Sequence, residues 1–223
     1  PDAGSREDAL AIIRQYGMDV PHAVLKHLET PAADAPLPGD PAFERSEHHV
    51  IASAALSLEA AQQMALDAGI EAHILSDSIE GEAREAAHTQ AAIVREIVNR
   101  NRPFKKPVLL LSGGETTVTL KGNGKGGRNS EFLLSLATGI AGMNGVYALA
   151  ADTDGIDGSE NNAGAFCDGE TVLRMREAGI DPVAYLQNND AYTAFDKVDA
   201  LFIPGPTGTN VNDFRAILIT GQA

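Results

Sequence analysis

The sequence predicts an α/β fold in which helices pack against a sheet. Short apolar runs that suit buried strands alternate with longer amphipathic or alanine-rich stretches that suit helices. The chain has 223 residues, of which 43% are hydrophobic and 22% charged, as in a globular protein with a sizeable core. At roughly 150 residues per domain, this length allows one large domain or two small ones.

The first 45 residues are predicted to be a short helical segment followed by a linker. Residues 6–16 and 21–29 suit two helices, because Ser5 is a good N-cap with Asp8 three residues later and Pro21 suits a first turn. Residues 31–42 contain four prolines and few large apolar groups, which is typical of a linker.

Beyond the linker, predicted strands and helices alternate. The predicted strands are 50–52, 70–75, 107–111, 146–151, 201–203 and 216–219, with 116–120 as an antiparallel partner or an extension of 107–111. The predicted helices are 57–68, 80–101, 130–141, 170–178 and 190–197. This alternation predicts a layered, Rossmann-like domain with a mostly parallel sheet.

The charge of the chain excludes some partners. The formal net charge is −14 and the pI is near 4.7, so phosphate backbones would be repelled and nucleic acid is not an expected partner. Residues 100–128 nevertheless hold seven basic residues and one acidic residue. We interpret Arg100–Lys106 as a solvated helix end and Lys121–Arg128 as a candidate anion site.

Composition also bears on location. No run of 18 apolar residues predicts a membrane span, and the polar, acidic first residues do not resemble a secretory signal. The single cysteine, Cys167, excludes an internal disulfide and suits a reducing compartment. We therefore expect a cytoplasmic protein.

The strongest local signal is the glycine-rich loop Lys121–Arg128. Its glycines should leave backbone N–H groups uncovered before a helix N-terminus, and Lys125 and Arg128 add positive charge. The spacing of its glycines also fits, weakly, the dinucleotide fingerprint G-x-G-x-x-G. A flexible hairpin tip is the alternative.

Three further polar segments follow predicted apolar strands. Residues 112–115 are a glycine-bearing strand end or a tight turn, and 151–158 carry carboxylates that suit Mg²⁺ or form an acidic turn. Residues 205–213 are rich in hydroxyl and amide groups, which bind polar ligands or bond to their own backbone. Together with the glycine loop, these segments predict a site at one edge of one sheet.

The four segments together resemble the C-terminal (MOFRL) domain of the bacterial glycerate 2-kinases, whose members are often named hydroxypyruvate reductase. The resemblance covers about residues 47–220, so 46–223 are interpreted as this domain and 1–45 as the tail of an N-terminal domain and its linker. The residues that carry it are Ser112–Thr119, Gly126–Asn129 with Glu131 and Phe132, Ala150–Gly158, and Gly205–Asp213.

The resemblance implies a two-domain kinase that transfers the γ-phosphoryl group of ATP to the 2-hydroxyl of D-glycerate with Mg²⁺. It implies that Arg128 is catalytic, where its fixed charge suits a phosphoryl group in transit. We assign Asp152 and Asp154 to the metal from their carboxylates. The expected nucleotide- and substrate-binding residues are Ser112, Gly113, Gly114, Glu115, Lys125, Gly126, Gly127, Asn129, Thr207, Gly208, Thr209, Asn210, Asn212 and Asp213.

The family's N-terminal glycine-rich serine loop and catalytic lysine have no counterpart in residues 1–45. The chain is therefore expected to be the C-terminal part of a longer enzyme and inactive by itself. Its expected partners are glycerate, a nucleotide, the N-terminal domain and, as an open alternative, a second copy of the chain. Two other functions remain open: an NAD(P)H-dependent hydroxypyruvate reductase and a non-catalytic binding module.

Overall fold

The computed structural model describes residues 4–31, 34–36, 39–47 and 49–221. The chain divides into two compact units, Pro1–Val50 and Ile51–Ala223.

The first unit contains helices α1 (Arg6–Tyr16) and α2 (His22–Leu28) and a short 3₁₀ turn, Pro41–Phe43. Both helices confirm the sequence prediction. The Ser5 hydroxyl accepts from the Asp8 N–H at 3.1 Å, and the Asp8 carboxylate accepts from the Ser5 N–H at 2.8 Å, which is a capping box. Part of the predicted linker lies outside the described residues.

The second unit is an α/β domain, as predicted. Its strands are β1 (Glu71–Glu82), β2 (Val108–Thr117), β3 (Val146–Asp152), β4 (Gly164–Asp168), β5 (Leu201–Phe202) and β6 (Asp213–Ile219). Its helices are α3 (Ala54–Asp67), α4 (Ala83–Arg100), α5 (Arg128–Gly139), α6 (Thr171–Glu177), α7 (Pro182–Gln187) and α8 (Ala191–Asp196). In the ranges that the structure describes, no helix is both long enough and apolar enough to cross a bilayer.

The strands form one sheet in the order β1-β2-β6-β3-β4-β5. Only β1 and β2 pair in parallel, and every other neighbouring pair is antiparallel. The prediction of a mostly parallel sheet is therefore confirmed only in part. Strands β1, β2, β3 and β5 run in one direction, while β4 and β6 run in the opposite direction. The reason is that β4 follows β3, and β6 follows β5, without a crossover helix to bring the chain back.

Several predicted boundaries shift. Residues 50–52 do not form a strand and instead precede α3, which Ser53 caps by accepting from the Leu56 N–H at 3.2 Å. Strand β2 runs without a break to Thr117, so the predicted extension of 107–111 is confirmed for residues 116 and 117, whereas 118–120 lie outside the strand. Strand β1 runs to Glu82, past the predicted end, because its polar second half pairs with β2. Strand β4 and helix α7 were not predicted, because both are short and carry no clear periodicity.

Helices cover both faces of β2. The buried Ser112 hydroxyl accepts from the Gln90 side chain of α4 at 3.1 Å, whereas a Cβ on the next residue, Gly113, would lie 3.3 Å from Leu58 of α3. Since successive residues of a strand point to opposite faces, α4 and α3 lie on opposite sides of the sheet. Helix α5 packs beside α4 and against β3 and β4. Its N-terminus lies at the sheet edge where β2 and β3 end and β6 begins.

We expect Gly164→Ala to destabilise the domain. A Cβ at this position would lie 1.8 Å from the carbonyl oxygen of Ala150, so β3 and β4 could not pair without a backbone shift. The free energy of unfolding should fall by about 1–3 kcal/mol, as for other overpacked sites, measured by urea denaturation. Gly221→Ala is the matched control, because a Cβ there meets no atom within 4 Å. Equal stability of the two variants would contradict this.

Candidate active site at the edge of the sheet

Three residues lie side by side where the central strands meet. In the sheet register Asp213, the first residue of β6, pairs with Gly114 of β2 on one side and with Asp152 of β3 on the other. Segments that are far apart in sequence thus meet as the motif analysis predicted. The antiparallel insertion of β6 places Asp213, the last residue of the predicted polar segment 205–213, within the sheet.

The Asp213 carboxylate is fully buried and serves several donors at once. One oxygen accepts from the backbone N–H and the hydroxyl of Thr116, both at 3.3 Å, and from the Arg215 guanidinium. The other oxygen accepts from the Asn129 side-chain amide at 2.8 Å and lies 3.4 Å from Nη2 of Arg128. Asp213 therefore joins β2 and β6 to the first turn of α5.

Arg128, the predicted catalytic residue, is held by carboxylates. As the first residue of α5, it donates from Nη1 to Glu115 and from Nη2 to Asp152, both at 2.7 Å, while Asp213 lies behind. Its side chain remains 27% exposed. Burial alone lowers the pKa of Arg128, but Asp213, Glu115 and Asp152 outweigh that effect and raise it. Arg128 is thus a permanent, oriented cation that solvent can reach.

Arg215 is a member of this cluster that sequence reasoning missed. It is fully buried, donates to the Asp213 carboxylate and, at 2.9 Å, to the Thr116 hydroxyl, and lies 4.9 Å above the Phe132 ring. Its Nε and Nη1 atoms have no partner among the residues that the structure describes. Burial lowers the pKa of Arg215. Its position in phase with buried Ile217 in an apolar strand is the signal that could have found it.

The N-terminus of α5 is occupied from within the domain. The buried Asp157 carboxylate accepts from the backbone N–H groups of Asn129 at 2.9 Å and Ser130 at 2.8 Å, and from the Ser130 hydroxyl at 2.7 Å. A Cβ on Gly127 would lie 2.4 Å from Asp157, so this approach requires glycine. Burial raises the pKa of Asp157. The positive helix end that we assigned to a ligand is thus largely used by Asp157.

The glycine-rich loop is also less open than expected. Asn189 accepts from the N–H groups of Lys121 and Gly122, at 2.8 and 3.0 Å. Asn188 accepts from those of residues 123 and 124, and Asp190 from that of Lys125. The expectation of uncovered N–H groups is therefore wrong for residues 121–125. Among the described residues, those of Gly126 and Arg128 have no partner.

The glycine spacing reflects close packing between loop segments. A Cβ on Gly122 would lie 2.3 Å from the Asn188 carbonyl oxygen, and one on Gly124 would lie 2.3 Å from Asp190. These contacts account for two glycines of the dinucleotide fingerprint without a ligand. The Lys125 ammonium lies 3.3 Å from Glu160, so this predicted site residue is paired on the surface.

The predicted loops 151–158 and 205–213 are tied to each other. Asp154 accepts from the Ile156 N–H at 2.8 Å and from the Asn210 side-chain amide at 3.3 Å, and its carbonyl accepts from the Thr207 N–H at 3.1 Å. Thr153 donates to the Asn212 carbonyl at 2.8 Å. These bonds match the alternative of a turn network, yet they also hold the exposed loop at 207–210 beside the acidic cluster.

Asp152 and Asp154 lie close enough for their charges to interact. Burial, followed by the charge of Asp154, raises the pKa of Asp152, against the stabilising contacts from the Asp154 N–H and Arg128. Within the described ranges, no group of three or more histidine, cysteine or acidic side chains is placed to hold a metal ion. Any cation at this pair must complete its coordination with ligands from elsewhere.

The geometry sorts the predicted site residues. Glu115, Arg128, Asn129, Asp152 and Asp213 come together directly, with Gly113 and Gly114 beneath them in β2. Ser112 does not join them, because its hydroxyl is buried against α4. A cavity of about 430 Å³ lies beside Arg128, and the residues that line it are Val118, Leu120, Gly124, Gly126, Gly127, Arg128, Glu131, Gly158, Asn189 and Ala191.

Comparisons with known proteins identify relatives of this chain. Residues 108–213 match the MOFRL family. The D-glycerate 2-kinase of Thermotoga maritima is 41% identical over 221 residues, which are 98% of this chain and 51% of the relative. A protein of Agrobacterium vitis named putative hydroxypyruvate reductase is 47% identical over 224 residues, which are 98% of this chain and 49% of the relative.

Solved structures show the same similarity. A crystal structure of glycerate kinase from Thermotoga maritima superposes with a TM-score of 0.84 at 40% identity, covering 99% of this chain and 51% of that one. The PH0495 protein of Pyrococcus horikoshii gives 0.80 at 37% identity, with the same coverage. The chain thus spans about half the length of the curated relatives that it matches. The matched range 108–213 contains every site residue that the sequence predicted, whereas Arg215 lies just beyond it. Residues 108–213 of this chain thus belong to the MOFRL family.

Proposed function

We propose that this chain is the C-terminal part of an ATP-dependent glycerate 2-kinase, which transfers the γ-phosphoryl group to the 2-hydroxyl of D-glycerate. The observation that carries this proposal is the Arg128 guanidinium, oriented by Glu115, Asp152 and Asp213 at the open edge of the sheet. The relatives named glycerate kinase support the reaction class.

Arg128 is suited to a phosphoryl group in transit. Catalysis of this reaction depends on positioning and on stabilising charge that spreads over the phosphoryl oxygens. Nη1 donates to Glu115, and Nη2 lies between Asp152 and Asp213. Among the described residues, the second hydrogen of Nη1 and the Nε–H have no partner and are left for a ligand. Since the carboxylates already fix the guanidinium, little reorganisation is needed when the charge develops.

The excess of carboxylates around Arg128 favours a divalent cation. Glu115, Asp152, Asp154, Asp157 and Asp213 outnumber the two guanidinium groups, so a bare polyphosphate would be repelled. Mg²⁺ is commonly held by one or two carboxylates together with phosphate oxygens and water, and Asp152 with Asp154 fits that donor set. When bound, Mg²⁺ supplies neutralisation of phosphate charge. We therefore propose ATP with Mg²⁺ as the phosphoryl donor.

We propose that the opposite wall of the site comes from an N-terminal half like that of the relatives. The loop containing Thr207, Gly208, Thr209 and Asn210 is exposed beside Asp154, and we assign it to the substrate side of the cleft. A homodimer and a cytoplasmic location remain predictions, the latter supported by the single cysteine, Cys167.

A nicotinamide-dependent hydroxypyruvate reductase is the second candidate, because the Agrobacterium vitis relative carries that name. The glycine spacing supports it less than the sequence suggested, since the Gly122 and Gly124 N–H groups bond to Asn189 and Asn188. Oxidation of NADH with hydroxypyruvate, by a protein joining this chain to such an N-terminal half, would favour this candidate over the kinase.

We expect Arg128→Ala, in a protein that joins this chain to an N-terminal half like that of its relatives, to lower kcat by about 10²–10³-fold, the cost of losing one oriented donor. Coupled detection of ADP release measures the change, and circular dichroism checks the fold. Arg100→Ala is the control, because this exposed arginine pairs with Glu96 at the end of α4. Turnover near that of the control would remove Arg128 from the mechanism.

We expect this chain alone to show no glycerate kinase turnover, because catalysis needs groups from both walls of the cleft in register. The same assay, with ATP, Mg²⁺ and D-glycerate, measures it. A second assay adds the N-terminal half of the Thermotoga maritima relative to this chain as a separate polypeptide. Robust turnover by the isolated chain would refute the proposal that it is one wall of the site.

We expect Asp152→Asn to raise the Mg²⁺ concentration for half-maximal activity by about tenfold, because it removes one carboxylate ligand but keeps an oxygen for Arg128. Burial raises the pKa of Asp152 in the metal-free site, so protons should compete with Mg²⁺, and the Mg²⁺ requirement should rise with decreasing pH earlier than for an ordinary aspartate. The asparagine variant should lose that dependence. Asp181→Asn is the control, because asparagine also caps α7. An unchanged Mg²⁺ requirement would exclude Asp152 as a ligand.

A further inference from the structure

We propose that the cavity beside Arg128 receives the nucleoside part of the nucleotide, with the phosphates directed toward Arg128. This inference rests on the proposed function and specifies which ligand the cavity takes. It adds Val118, Leu120 and Ala191 as a base-binding wall, none of which was among the predicted site residues.

The lining of the cavity is apolar except at one side. Val118, Leu120 and Ala191 contribute carbon surface, and bare glycine backbone forms most of the rest. The two other polar lining residues are already paired, because Glu131 accepts from Arg84 at 2.6 Å and from Asn189 at 2.9 Å.

The side-chain oxygen of Asn189 likewise accepts a hydrogen bond from the glycine loop, from the backbone N–H of Lys121 at 2.8 Å. Arg128 is therefore the lining side chain with N–H groups left for a ligand. A cavity with an apolar body and a single cation at one side matches a molecule that joins a ring to an anionic group.

The size of the cavity favours the nucleotide over glycerate as its ligand. Its volume of about 430 Å³ lies within the range of pockets that hold drug-sized ligands. Glycerate has three carbons, each bearing oxygen, so it would fill little of this space and leave the apolar wall in water. A nucleoside offers an aromatic face that packs on Val118 and Leu120.

Leu120 leaves apolar surface uncovered at the edge of the cavity. Its side chain is 77% exposed, although it lies at the cavity edge and next to the half-buried Val118. A base stacked in the cavity would cover that apolar surface, which favours binding. Gly126 and Arg128 also line this cavity, and among the described residues their backbone N–H groups have no partner, so they are available to phosphate oxygens.

The test is a titration of this chain with ADP, tripolyphosphate and D-glycerate, each in the presence of Mg²⁺ to neutralise phosphate charge, followed through the amide NMR signals of Gly126, Gly127 and Gly158. ADP should shift these signals, and Leu120→Gln should weaken ADP affinity about fivefold by removing apolar contact without adding charge. Tripolyphosphate affinity should be unchanged in that variant. Leu173→Gln is the matched control, since Leu173 is an exposed leucine of α6 outside the cavity.

The proposal is overturned if ADP does not shift these signals, or if Leu120→Gln binds ADP as tightly as the control does. It is also overturned if D-glycerate shifts the same signals and its affinity falls in Leu120→Gln as much as that of ADP. Failure of the proposed function is distinguishable. If Leu120→Gln weakens ADP binding but the joined two-half protein shows no kinase turnover, the proposed kinase function is refuted and the proposed nucleoside site stands. If the joined protein shows kinase turnover but Leu120→Gln leaves ADP binding unchanged, the nucleoside site is refuted and the kinase function stands.

Discussion

The buried carboxylate of Asp213 is the interaction on which the site depends. It lies between β2 and β3, where its oxygens hold Thr116, Arg215 and Asn129 and face Arg128. A charge buried at this depth is stable only when opposite charge and donors surround it. Arg215 and Arg128 supply that compensation. The Arg215 guanidinium is buried in the interior, whereas the Arg128 guanidinium stays accessible to solvent.

The same principle explains the neighbouring loops. The N-terminus of α5 carries unsatisfied N–H groups, and Asp157 fills it from inside the domain. The glycine loop presents a row of N–H groups, and residues 188–190 accept from most of them. Because the scaffold satisfies these groups, the groups left for the ligands that we propose are Arg128, two backbone N–H groups and the apolar cavity beside them. Rigidity of this kind suits a reaction governed by positioning.

Much of the domain was predictable because its signals are local. Helices α1, α4 and α5 show capping residues or a continuous apolar face, and β3 is an uninterrupted apolar run. Strand β4 and the direction of β6 were missed, because strand order depends on pairing between segments far apart in the chain. Arg215 was missed for a related reason: a single charge in an apolar strand becomes intelligible only once Asp213 is known to be its partner.

By itself, the sequence determined the α/β class and the four motif segments, since composition, periodicity and a distinctive motif order are properties of the chain. The catalytic role of Arg128 is a prediction from the family resemblance. Only the tertiary structure decided what the motif groups do. It assigned Asp157 to the helix end, residues 188–190 to the glycine loop and Arg215 to Asp213. The physical reason is that every buried polar group must find a partner, and which group finds which is settled by distances that sequence spacing does not contain.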